Sequence, residues 1–116
     1  MKYLLAIYGD ETAEAPPDQM DPYMQEWFQF DADIRAAVEV LAGNALHPTE
    51  KAVTVRSQDD KVVTLDGPFA ETKEQLGGFY LIEVDSLEDA IEWASRMPSV
   101  RTGGSVEIRP IQVFQE

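Results

Sequence analysis

Apolar residues fill both alternation phases of the first segment. From Lys2 to Tyr8, Tyr3, Leu5 and Ile7 fall on one side and Leu4, Ala6 and Tyr8 on the other. A strand apolar on both faces belongs in the middle of a sheet covered on both sides. The period then changes. Met20, Tyr23, Met24, Trp27, Phe30, Ile34, Val38 and Leu41 recur at three- or four-residue steps, which predicts one long amphipathic helix. Asp21 suits its cap, Pro22 its first position and Gly43 the left-handed residue beyond its end. Between these two elements, "TAEAPPDQ" (residues 12–19) reads as an exposed loop.

Two β-rich runs follow, "AVTVRS" and "KVVTLD", joined by "QDD", and they predict a hairpin. "GFYLIEV" is a further strand, again apolar in both phases. Ser86 and Asp89 form a capping-box pattern that opens a second helix burying Leu87, Ala90, Ile91 and Ala94 and ending before Pro98. In "GSVEIRPIQVF" the apolar phase changes at Pro110, which predicts a bulge or a strand break there.

The order is strand, helix, hairpin, strand, helix, strand, in a single domain spanning residues 1–116. Two helices can cover only one face of an antiparallel sheet, yet these strands are apolar on both. A second copy of the same sheet is the simplest remaining cover. The predicted fold class is α+β, a ferredoxin-like antiparallel sheet with two helices on one face. Its homodimer would form through the open sheet face and bury about 1,200 Å² or more.

Composition narrows the partners. Nine basic against 22 acidic side chains give a net charge of −13, which repels nucleic acid and anionic membranes. Solubility is the plain reading of that charge, and a cationic substrate is the sharper one. The chain has no cysteine, so thiol chemistry and thiolate metal sites are excluded. "MKYLLAIYGDE" is too short in its apolar run for a secretory signal, and no stretch approaches a membrane span. A cytoplasmic protein is expected. No phosphate-binding loop or dinucleotide fingerprint occurs, so no cofactor is expected, and no metal.

Chemistry points first to residues 66–78, "DGPFAETKEQLGG". A simple chain reversal takes about two to five residues, whereas this connection is much longer and combines a turn, charges and paired glycines. Asp66-Gly67-Pro68 is turn chemistry, and Phe69 is expected to drop into the core and pin the loop. Asp66 and Glu71 are then left as candidate acid, base or ligand anchor, with Lys73 as an orienting cation. Gly77-Gly78 permits either a close approach or a bend. His47, the only histidine, is a further candidate proton carrier. Tyr8, Arg56, Tyr80 and Arg109 lie on strands, where they would pair across an interface or line a cavity; Tyr8, Arg56 and Tyr80 are the candidate ligand contacts. Trp27, Phe28 and Trp93 read as core or interface aromatics.

"MKYLLAIYGDE", "VVTLDGPFAETKEQLGGFYLIEV" and "GSVEIRPI" together resemble the DGPF-type branch of the YCII-related family. The resemblance implies a bacterial dimeric α/β barrel of ferredoxin-like protomers, often encoded beside extracytoplasmic-function sigma factors. Some members of the broader family carry a histidine near the start of the first helix and an aspartate near the end of the second. Here "DPYMQEWF" has no histidine, and "WASRMPSV" has Arg96-Met97-Pro98 where an Asp-Pro pair is expected. The resemblance therefore implies one of two roles. One is a small-molecule-binding, enzyme-like dimer with acid/base chemistry at the DGPF loop. The other is a non-catalytic ligand sensor or interaction module linked to sigma-factor regulation.

Overall fold

In a computed structural model, the described residues are 1–12 and 17–114, with the side chains of 17–20 outside the description. The elements are β1 (Lys2–Gly9), α1 (Pro17–Ala37), β2 (Glu39–Ala45), β3 (Val53–Gln58), β4 (Lys61–Asp66), β5 (Gln75–Glu83), α2 (Leu87–Ser95), α3 (Pro98–Arg101) and β6 (Ser105–Pro110). A short 3₁₀ turn, Thr49–Lys51, precedes β3.

Four strands form one sheet in the order β2-β5-β1-β6, with every neighbouring pair antiparallel. With α1 after β1 and α2 after β5, this is the ferredoxin-like split βαβ arrangement. The hairpin β3–β4 forms a separate two-stranded sheet, inserted between β2 and β5. Its turn residues Asp59 and Asp60 have φ of 50° and 64°, as expected where a two-residue hairpin loop needs left-handed backbone.

The second strand of the main sheet lies where the sequence pattern predicts the end of the first helix. α1 stops at Ala37, and residues 39–45 pair with β5 through Glu39↔Glu83, Val40↔Ile82 and Gly43↔Tyr80. Val38, Val40, Gly43 and Asn44 are all weak helix formers. The pairing with β5 therefore prevails, and Gly43 sits inside a strand instead of capping a helix. The helix also begins earlier than Asp21, so Pro22 lies within it. The side chain of Met20 in the predicted stripe and residues 13–16 of the predicted loop fall outside the description. Ser86 caps α2 as expected: its Oγ accepts from the Asp89 backbone N–H at 3.2 Å. Pro98, expected to follow the second helix, opens the one-turn α3. β6 ends at Pro110, the predicted break.

Register separates the two faces. Tyr3, Leu5, Tyr80 and Ile82 join Phe30 and Ile34 of α1, Ala90 of α2 and Met97 in one buried cluster. Leu5, Ile34, Ile82 and Met97 are the largest fully enclosed side chains. The opposite face carries Leu4 against Leu81 and Ala6 against Phe79, flanked by Glu107 and Arg109 of β6. None of these joins the cluster that the helices complete.

Phe69 does not enter the core; it is 77% exposed. The DGPF turn is tied to its own hairpin, with Gly67 N–H donating to Ala52 O at 2.7 Å and Thr54 Oγ1 donating to Gly67 O at 2.8 Å. The turn therefore travels with the hairpin and not with the main sheet. Among the described residues no helix is long and apolar enough to cross a membrane.

Candidate functional site

A cavity of about 540 Å³ opens between α1 and one end of the main sheet, within the usual size of small-molecule sites. The sequence makes it by geometry. Tyr23, Trp27 and Asp31 are four residues apart and therefore share one face of α1, next to the row of Met24 and Phe28. Phe30 and Ile34, one step around the helix, point into the core. The opposite wall comes from Ile7 and Tyr8 at the end of β1, Gly43 to Ala45 of β2 and Gly77 to Tyr80 of β5, with Ser99 of α3 at the margin.

The polar centre is a three-residue chain. Tyr80 Oη donates to Asp31 Oδ1 at 2.7 Å, and Arg35 Nε donates to Asp31 Oδ2 at 2.9 Å. Both carboxylate oxygens are thus engaged. Phe30 meets the Tyr80 ring edge-on at 5.7 Å and the Trp27 ring at 5.8 Å, so the aromatic wall is braced from the core.

Burial pushes the Asp31 carboxyl up, but hydrogen bonds from Tyr80 and Arg35 and the guanidinium charge prevail, and it stays below its ordinary value. Burial, then the bond to Asp31 and its negative charge, hold the Tyr80 phenol well above the ordinary tyrosine range. At neutral pH the pair is a fixed carboxylate and a fixed phenol.

Glycine makes the strand wall possible. A Cβ on Gly43 would lie 2.9 Å from the Tyr80 ring and 3.3 Å from Arg35, and one on Gly78 would lie 2.9 Å from the Asn44 carbonyl oxygen. Gly78 therefore serves close backbone approach inside β5, and the ladder is irregular beside it: Ile7 pairs with Gly78 and Tyr8 with Leu76, which leaves Gly77 as the extra residue of a bulge.

At the mouth, Glu11 N–H donates to Gln75 Oε1 at 2.9 Å, and the Glu11 carboxylate accepts from the Thr49 N–H at 3.1 Å and from its hydroxyl. Gln75 also borders a smaller hollow of about 290 Å³ lined by Thr49, Pro68, Ala70, Glu71 and Thr72.

The candidates from sequence separate accordingly. Tyr8 and Tyr80 line the main cavity. Glu71 borders the smaller hollow and is exposed. Asp66, His47 and Lys73 are exposed and line neither. Arg56 lies on the hairpin, 3.4 Å from the Phe69 carbonyl oxygen, and Arg109 pairs with Glu107 at 2.7 Å on the second sheet face. The DGPF loop thus stands beside the mouth rather than around the cavity. Sequence pattern alone does not single out Asp31, and it places Trp27 in the core or an interface. The available signal was Asp31 breaking an aromatic row at four-residue spacing from both Trp27 and Arg35. Among the described residues no group of three or more metal-ligating side chains assembles.

A model of the YCII-related domain matches residues 1–115. An uncharacterized protein of Rhizobium meliloti is 44% identical over 118 residues, covering 99% of this chain and 95% of that protein. Among solved structures, 5-chloro-2-hydroxyhydroquinone dehydrochlorinase of Burkholderia phenoliruptrix, in complex with 2,5-dihydroxybenzoquinone, aligns with a TM-score of 0.49 at 12% identity. That alignment covers 97% of this chain and 94% of the dehydrochlorinase; it is too distant to speak to activity.

Proposed function

The chain belongs to the YCII-related domain family, and we propose that it is a cytoplasmic, small-molecule-binding member of the DGPF-type branch, acting as a homodimer. The observation that carries this reading is the cavity of about 540 Å³ with the Asp31–Tyr80 pair in its wall. Apolar walls with a few convergent polar groups are the usual make-up of ligand sites. The dimer reading is supported by Leu4, Phe79 and Leu81, which lie on the sheet face away from the helices and outside the core cluster.

The electrostatics favour binding over proton transfer at this pair. A general base or acid works best with a pKa near the operating pH. Asp31 is held below its ordinary value and Tyr80 above its own, so the pair orients a ligand and holds charge. Asp66, Glu71 and His47 stand outside the main cavity. Acid/base chemistry at the DGPF loop would need a ligand in the smaller hollow beside Glu71.

The test is a thermal-shift screen of metabolites on the wild type and on Trp27→Ala. A ligand that raises the melting temperature of the wild type but not of the variant supports the cavity. Stabilisation that persists in the variant but disappears in Glu71→Gln would move the site to the DGPF loop.

One observation favours a second reading. Phe69 is 77% exposed, and Asp66 and Glu71 flank it on the same exposed loop, a surface suited to a protein partner in sigma-factor regulation. On that reading, Phe69→Asp abolishes the regulatory phenotype without changing ligand stabilisation.

A further inference from the structure

We infer that the main cavity selects an organic cation, a protonated amine carried on an aromatic or alkyl body. This rests on the reading of the cavity as a ligand site and adds the class of ligand. The cavity lining carries three carboxylates, Asp10, Glu11 and Asp31, and, among the described residues, no lysine, arginine or histidine. Arg35 meets Asp31 Oδ2 from outside that lining. It offsets the charge of Asp31, while Glu11 keeps its negative charge at the mouth, accepting only from the neutral Thr49 N–H and hydroxyl.

The same wall includes the aromatic residues Tyr23, Trp27 and Tyr80. Aromatic faces attract an ammonium group through their quadrupole and accept an apolar body by burial. The net charge of −13 adds a long-range field that concentrates cations at the surface. A carboxylate or phosphate ligand would meet the opposite of each of these features.

Three probes of similar shape separate the possibilities in calorimetric titrations: phenethylammonium, phenethyl alcohol and hydrocinnamate. The expected order is ammonium tightest, alcohol about tenfold weaker and hydrocinnamate weakest. Added salt should weaken the ammonium and leave the alcohol nearly unchanged. Asp31→Asn keeps an acceptor for Tyr80 but leaves Arg35 without its carboxylate, so the roughly tenfold preference should vanish while alcohol affinity persists. Persistence of alcohol binding also reports that the variant is folded. Glu11→Gln, which keeps an acceptor for Thr49, should give a smaller loss of the same sign. Alcohol or hydrocinnamate binding as tightly as the ammonium would overturn the cation assignment and leave the ligand cavity standing. If no probe bound and Trp27 fluorescence stayed unchanged, the cavity reading itself would fall, and the inference with it.

Discussion

Tyr80→Phe removes one oxygen from the centre of the site and leaves the ring in place. Tyr80 is 8% exposed, and its hydroxyl donates to Asp31 at 2.7 Å. A hydrogen bond to a charged partner contributes about 1.5–3 kcal/mol. Asp31 is 40% exposed and keeps Arg35, so water can replace part of the lost donor, and the expected cost at neutral pH is about 1 kcal/mol. In a chain of this size that is a fall in melting temperature of roughly 3–6 °C.

The pH dependence of that difference is more diagnostic than its size. Asp31 has a depressed pKa in the folded protein. Its contribution is present above the unfolded value, near 3.9, and is lost as pH falls through the folded value. Tyr80 has a raised pKa. Its contribution is complete below the unfolded value, near 10, and is lost as pH rises toward the folded value, at up to about 1.4 kcal/mol per pH unit. The stability difference between wild type and Tyr80→Phe should therefore be flat from about pH 5 to 9 and shrink at both ends. Urea unfolding followed by the fluorescence of Trp27 and Trp93 measures it directly, with the m-value unchanged. A Tyr80→Phe protein as stable as wild type at pH 7, or a difference constant from pH 3 to pH 11, would refute the reasoning.

Three further predictions concern other parts of the fold. Gly43→Ala places a methyl 2.9 Å from the Tyr80 ring; overpacking of this kind costs about 1–3 kcal/mol, seen as a lower urea midpoint together with weaker ligand stabilisation. Leu81→Glu on the second sheet face should leave the protomer folded by circular dichroism while sedimentation equilibrium shows monomer, whereas an unchanged mass would remove that face as the dimer surface. Ile34→Ala, at a fully buried position, should cost about 2–5 kcal/mol in chemical denaturation, the range for truncating a core aliphatic.

Local pattern made most of the sheet legible and left the site half hidden. β1 and β5 alternate cleanly in both phases, the Ser86 cap is a short-range contact, and Pro110 cannot continue a ladder, so each can be read from a few neighbouring residues. The strand at residues 39–45 is different. Val38 and Leu41 fit the helical step that begins upstream, and only pairing with β5, about forty residues further on, decides against it. The same distance hides the site. Tyr8 and Tyr80 are legible as strand tyrosines, but the bond from Tyr80 to Asp31 spans 49 residues. The DGPF segment is conspicuous in the sequence because it is long and charged. In the structure it joins β4 to β5, and Gly67 ties back to Ala52 at the open end of a hairpin that stands apart from the main sheet, a contact the sequence of the segment does not disclose.

The most direct test of the ligand cavity is an amide NMR titration of the wild-type protein with phenethylammonium. The account predicts saturable shift changes clustered on Gly43, Gly77, Gly78, Tyr80 and the Trp27 indole. Shift changes confined to the β3–β4 hairpin and residues 66–74, with Tyr80 and Trp27 unmoved, would contradict it.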